Sequence, residues 1–212
     1  MNAHLSVAIL VAGCFAGGHA VGQDDGEQAA HAAYSLREEL SSDSAFQAQV
    51  AIQKEATFRA GPDQILAAKQ VSSGVFVVRY SESTETSFYL QYLESLERAP
   101  PGTSVWDLAR ARYRQVTFSS AACPSIVRPL KALSPVVRAR LETSAQPEKP
   151  SEPGNVNEIC VTTDGPSYRL VFYVDGGSVE VRPVGCSNFH DLLENVMDIA
   201  LHCSTFSSRE KP

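Results

Sequence analysis

The sequence predicts an α+β domain: an antiparallel sheet packed against helices, closed by a C-terminal β-meander and helix module that disulfides staple to the rest. Three observations predict it. Segments of helical period open and close the chain, β-branched and aromatic runs lie between them, and the cysteines after the N-terminal leader are even in number. At 212 residues the chain has the length of one domain with a sizeable core.

Residues 1–22 contain no Asp, Glu, Lys or Arg, and "LSVAILVAGCFA", Leu5 to Ala16, has the length of an export-signal core while being too short to span a bilayer. We read 1–22 as a signal peptide. Cleavage after "GHA", Gly18 to Ala20, would release a chain beginning near Val21. In the same segment "VAGC", Val11 to Cys14, resembles the lipobox of bacterial lipoproteins, and that resemblance implies lipidation at Cys14. The expected location is therefore periplasmic or secreted, as for a bacterial envelope protein, or lipid-anchored through Cys14. That anchor is the only expected route to a membrane.

Residues 23–141 read as an α+β region. Acids followed by Ala29, Ala33, Leu36 and Leu40 predict an amphipathic helix over 25–41. In "AFQAQVAIQKEATFR" a two-residue alternation competes with helix-favouring Gln, Ala and Lys, and the composition favours helix. "GVFVVRY" and "TSFYLQYL" predict a hairpin around "SESTE". "APPGTS" breaks the chain, Ser104 with Asp107 predicts a short helix around Trp106, and "YRQVTF" predicts a strand. After Cys123, Pro124 suits a first helical turn, whereas Pro129 and Pro135 argue against one continuous helix.

Residues 142–158 hold three prolines and few large apolar residues, as a linker or long loop does. Residues 159–212 form the last module of the same domain: "ICVTT", "SYRLVFYV", a tight turn at "DGG", "SVEVRPV" and a closing helix. In that helix, started by Asn188 with Asp191, the residues Phe189, Leu192, Leu193, Val196, Ile199, Ala200 and Cys203 make one apolar stripe. Asp191, Glu194, Asn195, Asp198 and His202 fall opposite it. His190 and His202 diverge by roughly 120° and lie about 18 Å apart along the axis, so no metal is expected between them.

Cys123, Cys160, Cys186 and Cys203 are separated by 37, 26 and 17 residues, without the short clamps of a zinc site. Two disulfides are expected. About 25 Å of mostly helical chain keeps Cys186 from Cys203, which leaves 123–203 with 160–186, or 123–186 with 160–203. The first is preferred, because Cys160 and Cys186 share the meander while Cys123 and Cys203 lie on helical apolar faces.

No catalytic residue is predicted: GxSxG and Gly-rich phosphate loops are absent, and "SREK" at Ser208–Lys211 lacks the companion motifs of its class. No cofactor is expected. Between Asp107 and Arg140 seven basic residues, Arg110, Arg112, Arg114, Arg128, Lys131, Arg138 and Arg140, face one acid, giving +6 in a chain of −6. These cations either pair with acids of the N-terminal helix or form a patch for an unknown protein or anionic envelope component. An acidic pI near 5.4 and the lack of interleaved stacking aromatics speak against nucleic acid. The function expected is that of an exported, disulfide-stabilised, non-catalytic protein binding a macromolecular partner. The alternatives are a small exported hydrolase with an unrecognised site, or an inhibitor or immunity-type protein.

Overall fold

The structure, a computed structural model, describes residues 23–56, 61–100, 102–104, 111–144, 166–174, 177–182 and 188–207, with side chains placed for all of these but 23, 136–144, 174, 206 and 207. Helix α1 spans Gln23–Ser42 and is followed by a meander of β1 (Val50–Glu55), β2 (Gln64–Ser72) and β3 (Val75–Ser83). Helix α2 (Phe88–Arg98) then leads to β4 (Tyr113–Ser119), a 3-10 turn at Pro124–Ile126 and α3 (Val127–Ser144). Strands β5 (Ser167–Val174) and β6 (Gly177–Val181) and helix α4 (Asn188–Ser207) complete the described chain.

The six strands form one antiparallel sheet in the order β4-β3-β2-β1-β5-β6. The C-terminal hairpin therefore docks against β1, with Ile52 opposite Leu170, and belongs to the same sheet as the N-terminal meander. Strand side chains alternate between faces, and helices cover both. On one face Ile52, Leu66, Val78, Phe118 and Leu170 pack under α3 and α4, which contribute Leu130, Leu133, Leu193, Val196 and Met197. On the other, α1 and α2 lay Ala29, Ala32, Leu36, Phe88, Tyr92 and Leu96 over Ile65.

α4 follows the predicted stripe, since Phe189, Leu193, Val196, Ala200 and Cys203 are buried while Asp191, Glu194, Asn195, Asp198 and His202 are exposed. A disulfide joins Cys123 to Cys203 across 80 residues, with the Cα atoms 5.9 Å apart. It links the start of the α3 region to the end of α4. This pairing excludes the connectivity that joins Cys123 to Cys186. Cys160 and Cys186 lie outside the described residues, as do Cys14, the leader, Trp106, Arg110, "ICVTT" and most of the predicted linker.

Three local expectations are corrected. The segment read as helix across 45–59 contains β1, where Val50, Ala51, Ile52 and Gln53 are all buried because the strand is covered on both faces. Double burial erases the inside-outside alternation that marks a half-exposed strand. "TSFYLQYL" is the start of α2, not a strand: Phe88, Tyr92 and Leu96 recur every fourth residue on its buried side, and the Ser87 hydroxyl accepts the Leu90 N–H as its N-cap. The partner of β3 in its hairpin is β2. Its turn uses Gly74, whose φ of 77° lies in the left-handed region that glycine enters freely.

α3 is the third correction, for it is continuous from Val127 to Ser144 with Pro135 inside. Pro129 sits in the first turn, where a backbone N–H has no helical acceptor to lose. Pro135 lies on the exposed side, where the carbonyl it leaves unpaired can turn to water. The helix also takes in residues 142–144 of the segment expected to be a linker.

Candidate functional site

The two sheet faces differ chemically, and the unusual groups collect beneath α1. Two arginines are buried there, Arg37 of α1 and Arg79 of β3, and a third, Arg169 of β5, is half-buried; each is met by carboxylates. Burying a guanidinium is costly unless charge and hydrogen bonds are both matched. The matching explains why α1 sits where it does.

Asp63, at the entry to β2, has no exposed side-chain surface. Its Oδ2 accepts from Arg37 at 3.1 Å and from the Phe88 N–H at 2.8 Å, while Oδ1 accepts from the Ala56 N–H at 2.8 Å. The carboxylate thus joins α1, the end of β1 and the first turn of α2. Desolvation pushes its pKa up, against the opposing pull of Arg37 and the two backbone donors. Arg37 also reaches Glu55 at 2.8 Å. Further along the face, Arg169 pairs with Glu38 and with Glu180, and the Gln53 amide donates to Ser41 Oγ and to Glu38. The Arg169 hydrogen bond comes first among the causes that hold Glu180 below its ordinary pKa.

Arg79 is the third member and the one next to open space. Its side chain is 8% exposed, and it donates to Asp43 Oδ2 at 2.5 Å and to the Leu40 carbonyl at 3.3 Å, with the guanidinium 4.4 Å from the Phe46 ring centroid. Its Nε is buried and has no hydrogen-bond partner. Beside it, where the C-terminal end of α1 stops short of β4, lies an open cleft of about 470 Å³ lined by Glu39, Ser42, Asp43, Arg79, Tyr113 and Gln115. Hydrogen bonding to Arg79 holds the Asp43 carboxyl below its usual pKa.

The predicted basic residues separate into groups. Arg112 pairs with Glu85 at 2.9 Å and Arg114 with Glu82 at 2.6 Å, so their acids come from the β3–α2 segment and not from the N-terminal helix. The acids in and just after that helix serve Arg169 and Arg79 instead. Arg128 and Lys131 are exposed on α3 and enter no ion pair among the described residues. Arg138 and Arg140 lie further along the same helix, with side chains outside the description.

On α4, His190 stands edge-on to the Tyr168 ring at 4.7 Å, while His202 is exposed. Among the described residues, no group of three or more His, Cys, Asp or Glu side chains is placed to hold a metal ion. Beneath α4, the Tyr80 and Tyr168 hydroxyls are buried without a hydrogen-bond partner. Burial raises the pKa of both, and the nearby Glu82 carboxylate adds to the rise at Tyr80.

Sequence reasoning did not select Arg37, Arg79, Arg169 or Asp63. The available signal was a charge inside an apolar strand: Arg79 interrupts "GVFVVRY" and Arg169 interrupts "SYRLVFYV". No protein-family model matches the chain, and no curated protein or solved structure matches it.

Proposed function

We propose that the protein is an exported, non-catalytic binding protein that docks on an anionic macromolecular component of the cell envelope through the outward side of α3. One observation carries this reading. Among the described cations of the basic stretch, Arg112 and Arg114 are neutralised by acids of the same chain, whereas Arg128 and Lys131 on α3 are not. Charge left without an internal counterion is available to an external one. Lys131 also extends towards the β2–β3 turn, since a Cβ on Gly74 would stand 3.5 Å from its Nζ.

Export is supported by the Cys123–Cys203 disulfide, a bond characteristic of oxidising compartments, and by the apolar leader. Among the described residues no helix is long and apolar enough to cross a membrane. The periplasm or the extracellular space fits best, with lipid anchoring at Cys14 as the variant. A non-catalytic role is supported by the engagement of the buried charges: Asp63, the most enclosed acid, spends both oxygens on Arg37 and two backbone N–H groups.

The test is retention of the purified, oxidised full chain on vesicles containing anionic phospholipid and on an immobilised polyanionic glycan, over a salt series. Wild-type protein should bind at least one of the two and be released by salt. The double variant Arg128→Glu, Lys131→Glu should not bind. Equal retention of the variant, or no retention of either protein, overturns the reading.

A further inference from the structure

We propose that β4 is a self-pairing edge, at which two copies of this chain join antiparallel about a two-fold axis through Gln115 and continue one sheet across both. This interface is separate from the α3 surface and does not depend on it.

The sheet register identifies the groups that would do the joining. β4 ends the strand order, with β3 on its inner side only. At the two ends of that ladder the Thr84 N–H donates to the Arg112 carbonyl and the Ser120 N–H to the Phe76 carbonyl. Arg114, Val116 and Phe118 therefore turn their backbone groups towards Glu82, Tyr80 and Val78, and the N–H and C=O of Tyr113, Gln115 and Thr117 point outward. Among the described residues none of these outward groups has a hydrogen-bond partner. The edge also lacks the usual guards against pairing, for it holds no proline, no lysine and no bulge. β6, at the opposite edge, is shorter and carries Glu180 with Arg182 just beyond it.

The strand complements itself in one register. With Gln115 opposite Gln115, Tyr113 of each copy faces Thr117 of the other, and each facing pair exchanges two hydrogen bonds, so every outward group of these residues is met. Arg114 then lies opposite Val116, and Arg112 opposite Phe118. Sliding by two residues in one direction sets Arg114 against Arg114, a like-charge pair. In the other direction the pairing calls on the Ser119 carbonyl, which already accepts the Ala122 and Cys123 N–H groups. Both arginines at the seam bring their own acids, Glu85 for Arg112 and Glu82 for Arg114, so two copies can meet there without repulsion.

The covering helices leave room for a second copy. On the α1 face the middle of β4 borders the open cleft, through Tyr113 and Gln115. α2 meets β4 at its start, where Phe88 stands against Tyr113 and the Gln91 side-chain carbonyl accepts the Arg112 N–H. On the other face α4 is bonded through Cys203 to Cys123, just past the end of β4. A two-fold through Gln115 sets the start of one β4 against the end of the other, so each helix is kept a strand length from its counterpart.

The experiment is analytical ultracentrifugation of the oxidised full chain over a concentration series. Wild type should pass from monomer to dimer between about 1 and 100 µM. Thr117→Pro removes an N–H that makes no bond within the chain, so the fold should survive by circular dichroism while the dissociation constant rises at least about tenfold. Gln115→Cys places two Cα atoms about 5.5 Å apart across the axis, inside the disulfide range, and air oxidation should link the copies through that residue, as read by mass spectrometry of the linked peptide. Thr117→Cys, which faces Tyr113, should give no such link. A wild type still monomeric at about 100 µM overturns the proposal, as does a dimer that a folded Thr117→Pro variant leaves intact. Absence of the link in Gln115→Cys, or a link at residue 117 formed as readily, overturns it whatever the fold of the proline variant. The α3 double variant should dimerise like wild type, so failure of one reading leaves the other standing.

Discussion

The two faces of the sheet are built from the same strands by opposite means. Beneath α3 and α4 the contact is apolar but for the Tyr80 and Tyr168 hydroxyls, from Ile52, Leu66 and Leu170 to Leu193 and Met197, and the layer is fastened covalently through Cys123 and Cys203. Beneath α1 the strands present Gln53, Arg79 and Arg169, and the helix is located by ion pairs and hydrogen bonds of defined geometry. Apolar burial is proportional to area and tolerant of angle. Buried charge is not, because a misplaced partner leaves an uncompensated ion. The charged face therefore fixes where α1 sits, and the apolar face supplies most of the adhesion.

That contrast can be broken from either side. Asp63→Ala should have the largest effect, a loss of about 5 kcal/mol, since it strips Arg37 of its enclosed partner and orphans the Ala56 and Phe88 N–H groups together. Urea unfolding with an unchanged slope would measure it, and a loss under 1 kcal/mol would contradict the role given to Asp63. Next, replacing Cys123 and Cys203 by serine should cost about 4.5 kcal/mol, the chain-entropy value for a closed loop of this length. Hydrogen exchange should then quicken in α4 before α1.

Leu193→Ala should cost about 3 kcal/mol, because it leaves a cavity in a fully buried layer. Its effect should add to that of Asp63→Ala, as expected of sites on opposite sides of the sheet, and a large coupling between them would dissolve the distinction drawn between the faces. The smallest effect is a pH dependence. Arg169 lowers the folded pKa of Glu180 below the ordinary 4.5, so the stability this contributes is complete above 4.5 and is lost as pH falls through the depressed value. Glu180→Gln should lack that increment and decline less on acidification. Asp63 carries the opposite sign: burial raises its pKa, so its ionisation subtracts stability as pH climbs from 3.8 through the raised folded value.

How legible each part was follows from where its side chains face. α4 could be read because one side meets the core and the other meets water, so Phe189, Leu193, Val196 and Ala200 stand out from Asp191, Glu194 and Asp198. β1 and the opening of β2 are enclosed on both faces, and the alanines at 51, 67 and 68 fit under close-packed helices, which gives their sequences a helical look. The aromatic residues of α2 imitate a strand until their spacing of four is weighed against composition. The cleft was least legible of all. Arg79 lies 36 residues from Asp43, and only the sheet register brings β3 under the end of α1.

The covalent circuit from Cys123 to Cys203 has a mechanical consequence. β5, β6 and nearly all of α4 lie inside it, and the chain leaves it at a sulfur bonded next to the end of β4. Tension applied to residues beyond Cys203 would pass straight across the sulfur bridge to the β4 side of the sheet. The enclosed hairpin and helix would bear almost none of that load, and would stay folded under a pull that tore an unbridged terminus away.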